Sequence, residues 1–256
     1  MSKFVDKLHN LSKTSVSPIG FHATASEAKS PPMLLVAGLS GVSTSEAEAI
    51  ANGNVDAGLV LSQSFKRGGL KRMIKAMGDI PLGVVVNETD KEKMDELIGS
   101  GCDFVVFDMR TPVAVLEKEE VGKFLMIEPS IDMGLVKAIN SLDVDGVFIN
   151  KGEEPFITVK QVLICQRFSE LLDKPLLVTL PSIITSAELD NLWKAEVDGI
   201  VVPPAQPVEA FSNLRRMIDK LPGGTNRRQA KVGVVLPRYG GDVAGEEEEE
   251  EEEEES

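Results

Sequence analysis

Asp56-Ala57-Gly58-Leu59-Val60-Leu61, Asp103-Phe104-Val105-Val106-Phe107, Asp145-Gly146-Val147-Phe148-Ile149 and Asp198-Gly199-Ile200-Val201-Val202 are four stretches built alike. Each opens on an aspartate and runs on in apolar, mostly branched or aromatic residues. Short runs that are apolar without alternation read as strands buried on both faces, as in a parallel sheet. Four more such runs, 33–39, 82–86, 124–127 and 176–180, interleave with them, and three of these follow a proline (Pro32, Pro81, Pro175). Helix-length segments separate consecutive runs. Eight buried strands alternating with helices predict a closed (βα)8 barrel, whose active site lies at the C-terminal strand ends. The four aspartates precede their strands, so they fall on the opposite, N-terminal face. There the expected role is structural: bonding backbone amides in the helix-to-strand turns.

A chain of 256 residues with 42% hydrophobic content is long enough for one large core. The predicted organisation is an N-terminal extension over 1–32, the barrel over 33–221, a C-terminal extension over 222–239 and a tail over 240–256. Phe4, Val5, Leu8 and Leu11 fall at helical spacing in the first extension. Lys231-Val232-Gly233-Val234-Val235-Leu236-Pro237 reads as an extra strand, expected to pair with Ile19-Gly20-Phe21-His22 outside the barrel. A second register makes that early segment the first barrel strand, but only the register starting at Met33 yields eight complete units.

Residues 246–255 are ten consecutive glutamates, and without them the formal charge of −14 falls to −4. Such a run repels itself and is expected to be disordered, or to fold onto the basic pairs Arg215-Arg216 or Arg227-Arg228. The mildly acidic remainder argues against a nucleic-acid surface. No apolar run approaches the ~20 residues that span a bilayer, and the first ten residues hold no apolar signal segment. Cys102 and Cys165 read as reduced, buried thiols. These features fit a cytoplasmic protein without membrane or nucleic-acid partners, and leave self-association into a homo-oligomer open.

Helix starts are legible from their caps. Ser43 or Ser45 opens the first barrel helix, and Thr185 or Ser186 opens the seventh with Glu188 placed for a capping box. The link between the fourth and fifth strands, 110–122, is too short for more than a reduced helix.

Residues 178–204 carry a resemblance. Val197-Asp198-Gly199-Ile200-Val201-Val202 is similar to the eighth-strand start of the aldolase-type, ribulose-phosphate-binding TIM barrels. That resemblance implies a (βα)8 TIM barrel and lyase or isomerase chemistry. In that superfamily the seventh strand ends in glycines that cradle a phosphate, and the eighth in Gly-Ser. Here Leu180-Pro181-Ser182 and Pro203-Pro204 stand in those places, and proline has no amide hydrogen to donate. The usual phosphate site is therefore expected to be missing.

A substitute anion site is predicted at Lys66-Arg67-Gly68-Gly69, where a glycine pair at a helix N-terminus exposes amides beside two cations. Asn87, Asp108 and Glu128 end three neighbouring strands. Oxygen ligands so placed suit Mg²⁺, a placement similar to the metal site of enolase-type barrels with asparagine replacing one carboxylate. Lys151 follows the sixth strand, a location similar to the Schiff-base lysine of some class I aldolases, with Asp108 or Glu128 to shuttle protons. Two functions stay open on these residues. One is an aldolase-like lyase or isomerase acting on a small anionic metabolite. The other is a barrel that has lost catalysis and serves as a binding or scaffold protein.

Overall fold

The computed structural model describes residues 2–13, 31–41, 43–61, 68–86, 91–150 and 154–222. The chain divides into a compact unit, Met1–Asn226, and a second one, Arg227–Ser256, which lies outside the described residues. The strand expected over 231–237, its expected partner at 19–22 and the glutamate tail all fall outside them too.

Eight parallel strands form the barrel: β1 (Leu34–Leu39), β2 (Ala57–Val60), β3 (Leu82–Val86), β4 (Phe104–Phe107), β5 (Gly122–Ile127), β6 (Gly146–Ile149), β7 (Leu176–Thr179) and β8 (Gly199–Val202). Each pairs with the next, and β8 closes on β1 through Leu34↔Gly199 and Val36↔Val201. Closure with β1 beginning at Leu34 settles the register in favour of the one starting at Met33. Every strand residue is buried except Met126 and Thr179, which are half-buried. Both faces of each strand are covered, which is why the apolar runs do not alternate with polar residues.

Among the described residues the helices are α1 (Lys3–Lys13), α2 (Thr44–Ala51), α3 (Gly69–Met77), α4 (Lys91–Gly99), α5 (Met133–Ala138), α6 (Val159–Leu171), α7 (Ser186–Lys194) and α8 (Val208–Ile218). Ser43 caps α2 by accepting from the Glu46 amide. Thr158 with Gln161 and Thr185 with Glu188 form reciprocal capping boxes on α6 and α7. Between β4 and β5 stands only a 3₁₀ helix, Val113–Glu117, the reduced helix that the short link requires.

The barrel interior is packed by alternating large and small residues across neighbouring strands. Phe104 on β4 sits in register between Gly83 on β3 and Gly122 on β5, and Phe124 opposite Gly146. Phe104, Phe124 and Phe148 form a chain of edge contacts with ring centroids 5.5 Å apart. The lower end of this array is closed by α1. Phe4 (0% exposed) stacks on Phe104 at 4.4 Å, and Leu8 joins the same interior cluster.

The four aspartates are structural, but not in the way expected. Instead of bonding within their own turns, three of them reach across to the preceding strand. Asp56 accepts from the Leu35 amide at 2.8 Å, Asp145 from Lys123 at 2.7 Å and Asp198 from Leu176 at 2.7 Å. The amide of each aspartate in turn donates to the carbonyl of that same residue. One residue thus brackets the lower end of two adjacent strands. Asp103 departs from this pattern: its carboxylate accepts from the Lys3 and Phe4 amides and the Ser2 hydroxyl, capping α1 from a distance of a hundred residues. Arg215 is buried and bonded to Asp56 and to the Asn54 carbonyl.

Removing a bracket leaves a strand amide without its partner. Asp145→Ala and Asp198→Ala are each expected to lose about 1–3 kcal/mol of stability, measured by urea unfolding. A loss within about 0.5 kcal/mol, the range of ordinary surface changes, would show that water replaces the carboxylate.

Candidate functional site

Helices that follow barrel strands run back along the wall, so their N-termini surround the C-terminal mouth. The first amides of any helix lack intrahelical partners and carry the positive end of its dipole. At α2, α5, α6 and α7 a side chain from Ser43, Asp132, Thr158 or Thr185 accepts from those amides. Glu92 and Glu209 put a carboxylate in the first turns of α4 and α8. Among the described residues, the start of α3 shows neither. Its cap residue, Gly68, makes no side-chain bond, and the first turn holds no acid. Gly68 adopts φ +79°, the left-handed region that suits glycine, and the space where a side chain would project is open. Lys71, Arg72 and Lys75 are exposed along the helix. Gly68 and the buried Gly69 open α3, while Lys66 and Arg67 fall outside the described residues.

Asp108 follows β4 and is consumed by its own loop. Its carboxylate accepts from the Arg110 amide at 2.9 Å, from Arg110 Nε and Nη2 at 3.1 and 2.8 Å, and from the Thr111 hydroxyl at 3.4 Å. Partial burial pushes the Asp108 carboxyl pKa up, but the hydrogen bonds and charge of Arg110 outweigh it and hold the group below the usual carboxylate range. Such a group stays ionised and is a weak base, poorly suited to shuttling protons near neutrality. Glu128, after β5, is exposed. No group of three His, Cys, Asp or Glu side chains among the described residues could hold a metal ion. Asn87, the third proposed Mg²⁺ ligand, and Lys151, the proposed Schiff-base lysine, fall outside those residues. The pairing of Asp108 with Arg110 is the ordinary polar-rim alternative that the sequence offers to a metal ligand at this position. Thr111 is the added partner, and an aspartate followed three residues later by a hydroxyl is a local turn signal for it.

At the mouth the β8 end packs closely on β1: a side chain on Gly38 would come 2.6 Å from the Val202 carbonyl and 3.3 Å from the Pro204 nitrogen. The β7 end is tied down as well: the Thr179 hydroxyl donates to the Ile149 carbonyl at 3.1 Å, and Ser182 to Pro155 at 2.7 Å. Cys102 and Cys165 are buried free thiols, both pushed up to about 12 by burial, and are inert as nucleophiles at neutral pH.

This architecture is a (βα)8 TIM barrel, and solved structures share it. A mutant tryptophan synthase alpha-subunit from Pyrococcus furiosus superposes with a TM-score of 0.58 at 14% identity, covering 75% of this chain and 98% of its own. A protein of Aquifex aeolicus VF5 gives 0.60 at 13% identity, covering 86% and 98%. Thiamine phosphate pyrophosphorylase from P. furiosus gives 0.58 at 13% identity, covering 74% and 96%. At such identities the likeness defines the fold alone. No family model and no curated protein sequence matches the chain. Among the described residues, no helix is long and apolar enough to cross a membrane.

Proposed function

We propose that the barrel binds a small phosphorylated or carboxylated metabolite at its C-terminal mouth and acts on it as an aldolase-like lyase or isomerase. The observation that carries this reading is the start of α3. It is a glycine-led helix N-terminus with neither a capping side chain nor a first-turn acid, preceded in sequence by Lys66 and Arg67. In this reading Gly68 and Gly69 offer amides to the anion and Lys66 and Arg67 neutralise it. Lys151 is the nucleophile that condenses with a substrate carbonyl to a Schiff base, releasing water, Glu128 moves the proton, and Asp108, held by Arg110, fixes the loop beside them. Mg²⁺ on Asn87, Asp108 and Glu128 would require Arg110 to release the Asp108 carboxylate, and the metal arm of the panel below tests for it. One structural neighbour, a thiamine phosphate pyrophosphorylase, fits a phosphorylated ligand by its name. A cytoplasmic location, with no nucleic-acid or membrane partner, completes the proposal.

One observation favours the second reading, a barrel without catalysis: the Asp108 carboxylate is fully engaged by Arg110 and Thr111. A thermal-shift panel of phosphorylated and carboxylated metabolites, with and without Mg²⁺, separates the two. A ligand present at 100 times its Kd stabilises by about 2.7 kcal/mol. A ligand that shifts the melting temperature in the wild type but not in Lys66→Ala supports the anion seat, and turnover of that ligand lost in Lys151→Ala supports the enzyme. Binding without turnover leaves the binding barrel. Silence across the panel contradicts the enzyme and favours the barrel without catalysis, with a protein as its partner.

A further inference from the structure

The outer wall of β4 and β5 is covered differently from the rest of the barrel. Phe107 and Leu125 belong to the cluster between barrel and helices, opposite the inward-facing Val106 and Phe124. Among the described residues, short elements lie over them: the 3₁₀ helix Val113–Glu117, the six-residue α5 and the 3₁₀ turn Ile139–Ser141. What remains is an open cavity of about 330 Å³, floored by Phe107 and Leu125 and walled by Val115, Leu116, Leu135 and Ile139. Asp108 and Thr111 line it too, but the carboxylate is already saturated by Arg110 and Thr111.

The cavity is braced. Lys123 on β5 is buried, and its ammonium donates to the Leu116 carbonyl at 3.0 Å and pairs with Asp143. Leu116 belongs to one wall and Leu142, beside Asp143, to the other. One buried cation therefore ties both walls to the barrel strand beneath, which keeps the space from collapsing when empty.

We propose that this cavity is a binding site for one small, uncharged, largely apolar molecule, lying outside the barrel and separate from the anion seat at α3. Its volume falls in the range of small-molecule sites, which are mostly apolar with few polar groups. It is about twice that of a dry apolar cavity that holds benzene, so a two-ring aromatic or a branched hydrocarbon body fits. A charged ligand is excluded: the one ionised group in the lining has no bonding capacity left, and transfer of an unpaired charge onto such walls is unfavourable.

The test is titration of the full chain with N-phenyl-1-naphthylamine, an uncharged probe that fluoresces in apolar surroundings. Ala138 lines the cavity from its exposed rim, so Ala138→Trp fills the space without disturbing the buried core. Leu163→Glu removes an exposed apolar side chain on α6, away from the cavity lining. The expected result is saturable binding of one probe per chain, about tenfold weaker or worse in Ala138→Trp and unchanged in Leu163→Glu. Binding that Ala138→Trp leaves intact overturns the proposal, as does no saturable binding. A wild-type dimer in sedimentation that Ala138→Trp dissociates also overturns it, because a second copy would then fill the cavity.

Discussion

Phe4→Ala is expected to lower stability by about 3–5 kcal/mol, the cost of truncating a fully buried phenylalanine. Phe4 belongs to a segment outside the strands of the barrel, yet it is 0% exposed. Its ring lies 4.4 Å from Phe104 and 5.3 Å from Phe124, so its loss opens a void beneath the whole aromatic array. The cavity cannot close easily, because α1 is held in place by three bonds to Asp103. Urea unfolding checks it, with the midpoint falling and the slope preserved. A loss below about 1 kcal/mol would mean that α1 is an appendage rather than the floor of the barrel. Asp103→Ala is a smaller lesion of the same kind, since it uncaps the helix and leaves the ring in place.

The second large effect is expected at Gly83. A single added carbon there would stand 2.2 Å from the Phe104 ring, closer than any real contact. Phe104 has nowhere to go, being pressed by Phe4 from below and by Phe124 beside it. Gly83→Ala is therefore expected to lose about 3 kcal/mol or more, at the upper end of overpacking effects. If the clash is the cause, Phe104→Leu introduced on top of it recovers part of the loss. The two changes then couple rather than add, as contacting residues do. Additive losses would place the damage in the β3 backbone instead of in the pairing of large with small.

The strands were legible because both of their faces are buried, so each run announces itself without any knowledge of its neighbours. The run at β5 shows the limit. The apolar pattern begins at Phe124, but the strand begins at Gly122. Lys123 breaks the pattern, and it is buried only because the Leu116 carbonyl and Asp143 meet it in space. Asp103 is similar: its sequence context matches that of Asp56, Asp145 and Asp198, and only the arrival of α1 diverts its carboxylate. The candidate site was legible as a set of strand ends, which the fold orders along the chain. Whether a carboxylate there is available is a different matter, decided by donors such as Arg110. In Asp108 the chemistry expected from position was overridden by a local turn.

The measurement that tests the anion seat most directly is a titration of the full chain with inorganic phosphate, followed by backbone amide NMR. Saturable shifts concentrated in the amides of Gly68, Gly69 and Leu70, and lost in Lys66→Ala, are the predicted result, because those are the helix-start donors left without a cap. Shifts centred on the ends of β7 and β8, or none at all, would contradict it: the first would restore the phosphate position that Pro181, Pro203 and Pro204 argue against, and the second would leave the mouth without an anion site.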